Sequence, residues 1–358
     1  MAEFCRHKPR KAHLLCAYWP HFCPMQESME GKTITKLPDA AVQKLLSYDA
    51  LCIEMGFGLR LLNSYLHELS LVASGVPYAE LGIGERRKAS AAVTIFMPDA
   101  AGQFTTVSQD RGLLSNSSLT RPQSVAVLKL SGTMTAQDDV SSYGVGMLES
   151  QLRQAYANDS IGAIIIDTNS PGGEVVAMQT LVGAIEDRNK PVLGFGRFAA
   201  SAAYGTLAAT DEIIASDKMA KFGSVGAVIT LDKSFLEFYA ENFLSFYGED
   251  APGKNAEWRA ALEGNFIPIQ EIANKATRDF QAQVSKQRPI SGGEAYQRQT
   301  LSGAMFDAVE ARRRGLVDGI GTMNYAVARA MAWMQKGKSG RNRDGDKSKE
   351  KQEKKRNQ

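Results

Sequence analysis

A lone serine stands among alanines in Phe198-Ala199-Ala200-Ser201-Ala202-Ala203-Tyr204-Gly205, where an apolar stretch gives way to a helical one. Small neighbours let a substrate carbonyl reach the Ser201 hydroxyl, and the helix N-terminus favours negative charge beside it. An ordinary N-cap serine occupies the same kind of position. A second turn, Asp167-Thr168-Asn169-Ser170-Pro171-Gly172-Gly173, follows a continuous apolar run. Paired glycines let another backbone approach closely, and N–H groups ahead of a helix suit a developing oxyanion. They equally suit a tight strand-to-helix turn. A third segment, Lys221-Phe222-Gly223-Ser224-Val225-Gly226, reads as a turn before a strand.

A serine nucleophile needs a base. All four histidines, His7, His13, His21 and His67, precede the region that carries these turns. A Ser–His–Asp triad within that region is therefore excluded, and Lys, Glu and Asp remain. A lysine base must fall from a pKa of about 10.4 to roughly 7–8, a bias of about 4 kcal/mol that desolvation can supply. Lys254 lies in the loop Gly248-Glu249-Asp250-Ala251-Pro252-Gly253-Lys254-Asn255, after an apolar run, Phe243–Tyr247, expected to be a strand. Lys218, Lys221 and Lys233 are alternatives.

The elements that must hold these groups alternate strand and helix. Strands are expected at Val125–Leu130, Ile161–Asp167, Pro191–Arg197, Glu212–Ala215 and Val225–Leu231. Of these, Ile161–Asp167 is apolar throughout, the mark of a buried parallel strand. Helices are expected at Gly144–Ala157, Glu174–Asp187, Ser201–Ala209 and Ile269–Lys286. This is the rhythm of an α/β fold with a mainly parallel sheet, and open α/β sheets place their sites at strand ends.

Four regions follow: an irregular 1–28, a helical and mixed 29–121, a main domain 122–335 and a tail 336–358. The helical part is expected around Asp39–Ala73, and Gln109–Gln123 reads as a linker. The tail carries a net charge of +6 against +3 for the whole 358-residue chain, so the rest is mildly acidic. With no large apolar residue, the tail has nothing to bury and should be disordered. A main domain without basic excess does not suggest nucleic-acid binding. No run of about 18 apolar residues predicts a membrane span, and a cytoplasmic location is expected. Cys5, Cys16, Cys23 and Cys52 all fall within the first 52 residues, and a zinc site with the nearby histidines fits no usual spacing. No metal or cofactor is expected.

Taken in order, Asp-x-x-Ser-Pro-Gly-Gly, Ala-Ser-Ala-Ala-Tyr, Gly-Ser-Val-Gly and Gly-Leu-Val-Asp-x-Ile-Gly (Gly315–Gly321) resemble the signal peptide peptidase A family of serine peptidases. Phe280, Val284 and Arg288, four apart, resemble that family's F-x-x-x-V-x-x-x-R helix. The family includes membrane-linked bacterial enzymes and capsid-maturation proteases of tailed phages. The resemblance covers about 122–335. It implies a Clp/crotonase-like fold built of repeated ββα units, with Ser201 as nucleophile and Lys254 as base. It also implies an oxyanion hole from Gly172, Gly173 and the Ala202 N–H, with Ser224 supporting the lysine. No cofactor is implied; a polypeptide substrate and a homo-oligomer are. Within it, a phage capsid or scaffold protease is expected ahead of a cytoplasmic bacterial peptidase. Departures are Ala202-Ala203, where the family often has Gly-Gly, and the acids Glu249 and Asp250 close to Lys254. An acyl-CoA enzyme of crotonase type and a catalytically inactive assembly module are the other readings.

Overall fold

The computed structural model describes residues 51–53, 92–99, 104–109, 114, 123–137, 144–231 and 233–336. These fall within one compact unit, Asp49–Gln358. The N-terminal cysteines and histidines other than Cys52, most of the linker, and the tail beyond residue 336 lie outside the described residues. So does most of Asp39–Ala73; within that stretch, expected to be helical, Leu51–Ile53 is instead a strand.

The strands are β1 (Leu51–Ile53), β2 (Val93–Pro98), β3 (Phe104–Gln109), β4 (Ser124–Ser131), β5 (Ile161–Ser170), β6 (Gly172–Glu174), β7 (Val192–Ala200), β8 (Glu212–Ala215), β9 (Lys221–Gly223), β10 (Met305–Asp307) and β11 (Gly319–Ile320). The helices are α1 (Val145–Ala157), α2 (Val175–Glu186), α3 (Ala202–Ala208), α4 (Lys233–Asn242), α5 (Ala256–Leu262), α6 (Ile267–Gln287), α7 (Glu294–Thr300), α8 (Ala308–Arg313) and α9 (323–336).

The main sheet runs β10-β9-β7-β5-β4-β2-β3. Its centre, β4, β5, β7 and β9, is parallel, and β2, β3 and β10 join antiparallel. The strand β7 forks. Its first half, Leu193–Gly196, pairs with β8, and its second half, Phe198–Ala200, pairs with β9. Pairing of β2 with β4 carries the sheet beyond the expected domain start at residue 122.

Alternating side chains of the central strands feed two apolar layers. Ala126, Leu128, Ile164 and Ile166 face α1, α2, α3 and α6. Val125, Val127, Ile165 and Leu193 face α9. Both faces are covered, so Ile161–Ile166 needs no alternation of apolar and polar residues. On the second face, Glu212 accepts from Arg329 Nε at 2.8 Å and from Trp333 Nε1 at 2.7 Å, which seats α9.

Two expected strands do not form. Between 225 and 231 there is only an isolated bridge, and the strand is the preceding Lys221–Gly223, held between β7 and β10. Phe243–Tyr247 is likewise an exposed coil, with Leu244 at 88% and Phe246 at 91% exposure. Its apolar side chains read as strand-forming, but no neighbouring strand among the described residues offers them a ladder.

Candidate active site

Three strand ends meet at one edge of the parallel sheet. The register sets Ser170 of β5 beside Ala199 of β7, and Ala200 beside Gly223 of β9. The turns carrying Gly172, Ser201 and Ser224 thus emerge side by side, as expected for motifs at the ends of neighbouring parallel strands.

Ser201 is buried and occupies the N-cap of α3 with φ 54° and ψ −124°. A non-glycine residue at positive φ is uncommon and costs of order 1–3 kcal/mol, a cost that persists where the surroundings over-determine it. Here the Ser201 N–H donates to the Gly223 carbonyl oxygen at 2.8 Å, and its own carbonyl accepts from the Gly205 N–H at 2.9 Å. The Ser201 hydroxyl lies 3.4 Å from the Gly226 carbonyl oxygen. This is the geometry of a nucleophile elbow, a sharp strand-to-helix turn that presents a hydroxyl. Ala199, Ala200, Ala202 and Ala203 are all buried around it, and their small volume is what lets β7, β9 and α3 converge.

The helix α3 is fixed from beneath by motif residues. A Cβ on Gly205 would strike Met178 Sδ at 2.3 Å and Phe280 Cε2 at 2.6 Å, so α2, α3 and α6 pack closely only around glycine. Tyr204, fully buried, donates its hydroxyl to the Leu316 carbonyl oxygen at 2.9 Å. Burial raises the Tyr204 phenol far above its ordinary range. Arg288 pairs with Asp318 at 2.8 Å, and Asp318 in turn accepts from the Ile213 N–H at 2.7 Å. The Phe280-Val284-Arg288 stripe and the Gly315–Gly321 segment therefore brace the elbow; neither touches a reacting atom.

The glycine pair lies on β6. Gly172 has φ +93°, and its N–H donates to Ser170 Oγ at 3.2 Å. Its carbonyl accepts from the Met134 N–H at 2.9 Å, and the Glu174 N–H donates back to the Met134 carbonyl oxygen at 2.9 Å. Successive residues of a strand direct their polar groups to opposite edges, so Gly173 turns its N–H away from Met134. Of the two glycine donors, that of Gly173 is the one not taken up inside the turn. Ala202 opens α3, where first-turn N–H groups lack intrahelical partners.

Ser224 also has positive φ, 57°, and donates its N–H to the Ala304 carbonyl oxygen at 2.8 Å. Thr277 Oγ1 on α6 accepts from the Ala227 N–H at 3.1 Å and so fixes the end of this turn.

Lys254 is exposed, as are Lys218, Lys221 and Lys233, and its N–H closes a turn on the Ala251 carbonyl oxygen at 3.1 Å. Among the described residues no hydrogen bond joins it to Ser201. Its loop is nevertheless ordered by neighbours. Arg259 lies over the Tyr247 ring at 4.9 Å and donates to the Pro252 carbonyl oxygen. Trp258 meets Tyr239 edge-on at 5.5 Å. The loop is thereby tied to α4 and α5, and α5 packs on α6, which packs on α3. Glu249 and Asp250 are exposed as well.

Gly226 as the partner of the hydroxyl, Ser170 as the acceptor for Gly172, and Met134 as the rail for β6 were not singled out in sequence. The Ser131-Gly132 pair that ends β4 was the available signal for the last. Among the described residues no cluster of His, Cys, Asp or Glu is placed to hold a metal, and no helix is long and apolar enough to cross a membrane.

An α/β sheet whose strand-end elbow presents a buried serine beside a glycine turn defines a class of serine-nucleophile candidates. Comparison with known proteins narrows it. No protein-family model matches the chain. Curated relatives include "Protease 4" of Haemophilus influenzae, 30% identical over 58% of this chain and 34% of that protein. They also include "Protease 4" of Salmonella typhi, 25% identical over 58% and 34%. A third is "Serine protease SPPA, chloroplastic" of Arabidopsis thaliana, 26% identical over 57% and 31%. The chain thus spans about a third of the length of these relatives, and over that span it is similar to proteases of the SPPA kind. An enoyl-CoA hydratase/carnitine racemase structure from Magnetospirillum magneticum overlaps 60% of this chain and 70% of its own, at 14% identity and a TM-score of 0.35. The mainly parallel α/β architecture rests on the sheet order itself.

Proposed function

We propose that the chain is a serine endopeptidase using a Ser201–Lys254 dyad. The observation that carries this reading is the buried Ser201 held at positive φ between β7 and α3, beside the Gly172–Gly173 turn. In this mechanism neutral Lys254 takes the hydroxyl proton as Ser201 Oγ attacks a peptide carbonyl. The Gly173 and Ala202 N–H groups, with the Gly172 turn supporting them, stabilise the oxyanion. Collapse expels the amine, which takes a proton from the lysine, and leaves an ester on Ser201. Water, deprotonated by Lys254, then hydrolyses that ester. Ser224 holds the lysine in place. No metal or cofactor enters.

A lysine base has to be withdrawn from water, and Lys254 is exposed in the single chain. Phe243, Leu244, Phe246 and Ile267 are exposed in the same region. A homo-oligomer in which a second copy covers this apolar surface supplies the missing screen. The substrate is a polypeptide. A capsid or scaffold protein of a tailed phage, met in the host cytoplasm or procapsid, is the finer reading, and a cytoplasmic bacterial peptidase is its alternative. Both rest on the motif resemblance.

The exposure of Lys254, which makes no hydrogen bond to Ser201 among the described residues, favours one second reading, an inactive assembly module of the same fold. Hydrolysis of unfolded protein and short peptides by wild type, Ser201→Ala and Lys254→Ala separates the two, with intact mass after a serine-reactive phosphonate as a direct readout. Loss of activity in both variants, with one phosphonate adduct on wild-type Ser201, supports the dyad. An unreactive Ser201 and no hydrolysis at any oligomeric state supports the module.

A further inference from the structure

We propose that Leu51–Ile53 lies, in cis, on the backbone edge that an extended polypeptide substrate uses, so that the chain's own N-terminal region competes with substrate. The proposal rests on the peptidase reading for the word substrate. The occupancy itself rests on strand pairing.

The strand β1 pairs antiparallel with β6 in the register Leu51↔Glu174, Cys52↔Gly173, Ile53↔Gly172. These two strands form a sheet of their own, separate from the main one. The opposite edge of β6 is spent on Met134, through Gly172 O and Glu174 N. Gly173 therefore directs its N–H and C=O toward β1, and Cys52↔Gly173 is the pair that exchanges both hydrogen bonds. The Gly172 N–H is held by Ser170 Oγ. The one donor of the glycine turn aimed outward is thus occupied by the chain itself.

That donor belongs to the site. The strand β6 packs on α3, the helix that Ser201 heads. An added Cβ on Gly173 would meet the Met134 carbonyl oxygen at 2.0 Å, so only glycine fits and the strand carries no side chain there. A bare backbone edge recognises an extended peptide by main-chain bonds, with little demand on its sequence. Three residues are a short strand, and a pairing of that size is displaceable. After displacement β1 stays tethered to β2 through residues 54–92. A covalent link of this length keeps the segment at roughly millimolar effective concentration. The cover therefore sets a threshold for substrates without closing the site permanently.

The test uses the full chain carrying Ser201→Ala, so that binding is measured without hydrolysis. Cys52→Pro removes the N–H that pairs with Gly173. Leu51→Pro, whose nitrogen lies on the outward edge, is the matched control. Leu51→Gly/Ile53→Gly weakens the strand by propensity if the proline variant fails to fold. The probe is a fluorescein-labelled peptide with the sequence of residues 47–57, read by anisotropy, together with amide exchange at Gly173. Displacing an intramolecular competitor predicts about a tenfold lower dissociation constant in Cys52→Pro, none in Leu51→Pro, and faster Gly173 exchange in Cys52→Pro alone. Equal affinities, no binding to any variant, or unchanged Gly173 exchange overturns the proposal. Tighter binding in Cys52→Pro alongside a wild type that hydrolyses nothing leaves the proposal standing as a polypeptide edge and sinks only the peptidase reading.

Discussion

The Ser201 N–H donates to the Gly223 carbonyl oxygen at 2.8 Å, across the ends of two parallel strands. This bond fixes the serine at φ 54° by tying it to β9 immediately after β7 ends. Backbone strain at the proposed nucleophile is thus a property of how β7 forks, with β8 taking its first half and β9 its second.

Strain of this origin predicts unequal stabilities for two substitutions that both remove the hydroxyl. Ser201→Ala keeps a Cβ at positive φ, whereas Ser201→Gly does not. Glycine should exceed alanine in unfolding free energy by about 1 kcal/mol, since only glycine visits this region freely. Urea unfolding of both variants checks this, and an alanine variant equal to or above the glycine one shows that the elbow is relaxed.

Gly173→Ala tests the rail under the glycine turn. The atom its Cβ would meet, Met134 O at 2.0 Å, is backbone and cannot rotate away. The β6–Met134 bonds must lengthen, at a cost of about 1–3 kcal/mol typical of overpacking. A thermal melt should show Gly173→Ala clearly below wild type. An unchanged midpoint would mean the Met134 segment moves aside without penalty.

The brace beneath α3 can be opened at two points. Tyr204→Phe leaves the buried Leu316 carbonyl without its donor and should lose about 1 kcal/mol. Arg288→Met strands Asp318, which keeps only the Ile213 N–H. Because Asp318 is one-third exposed, the loss there should be about 2 kcal/mol, less than for a fully buried pair. Chemical denaturation of both variants gives the numbers, and peptide hydrolysis in the same samples shows whether the brace also aligns Ser201.

Much of this arrangement was legible beforehand. The apolar run at Ile161–Ile166 announced a strand buried on both faces, and two short motifs, those of Gly172 and Ser201, marked ends where strand turns into helix. What escaped was whatever depends on pairing across distance. Phe243–Tyr247 has strand-forming residues yet lies exposed, because propensity does not supply a partner strand. Lys221–Gly223 is a strand because β7 and β10 flank it, not because of its own composition. Leu51–Ile53 sits within a stretch of helical periodicity and pairs with β6, with Cys52 opposite Gly173. The exposure of Lys254 likewise depends on how its loop lies against α4 and α5, which local sequence does not record.

A last prediction concerns Asp167, which opens the Asp-x-x-Ser-Pro-Gly-Gly motif. Burial raises its carboxyl above the ordinary value, while Lys129, its neighbour in the β4–β5 register, and Arg197 pull it down. A folded-state pKa above the unfolded one means that the folded chain binds the proton more tightly. Its contribution to stability is therefore complete below the ordinary value of 3.8 and is lost as pH rises through the raised folded value. Asp167→Asn carries no such proton. The melting temperature of the variant relative to wild type should accordingly rise as pH is increased from 3 toward neutrality, over about the carboxylate range. Calorimetry of both proteins at matched ionic strength measures it. A pH-independent difference would show that the two cations cancel the burial, and a falling one that they outweigh it.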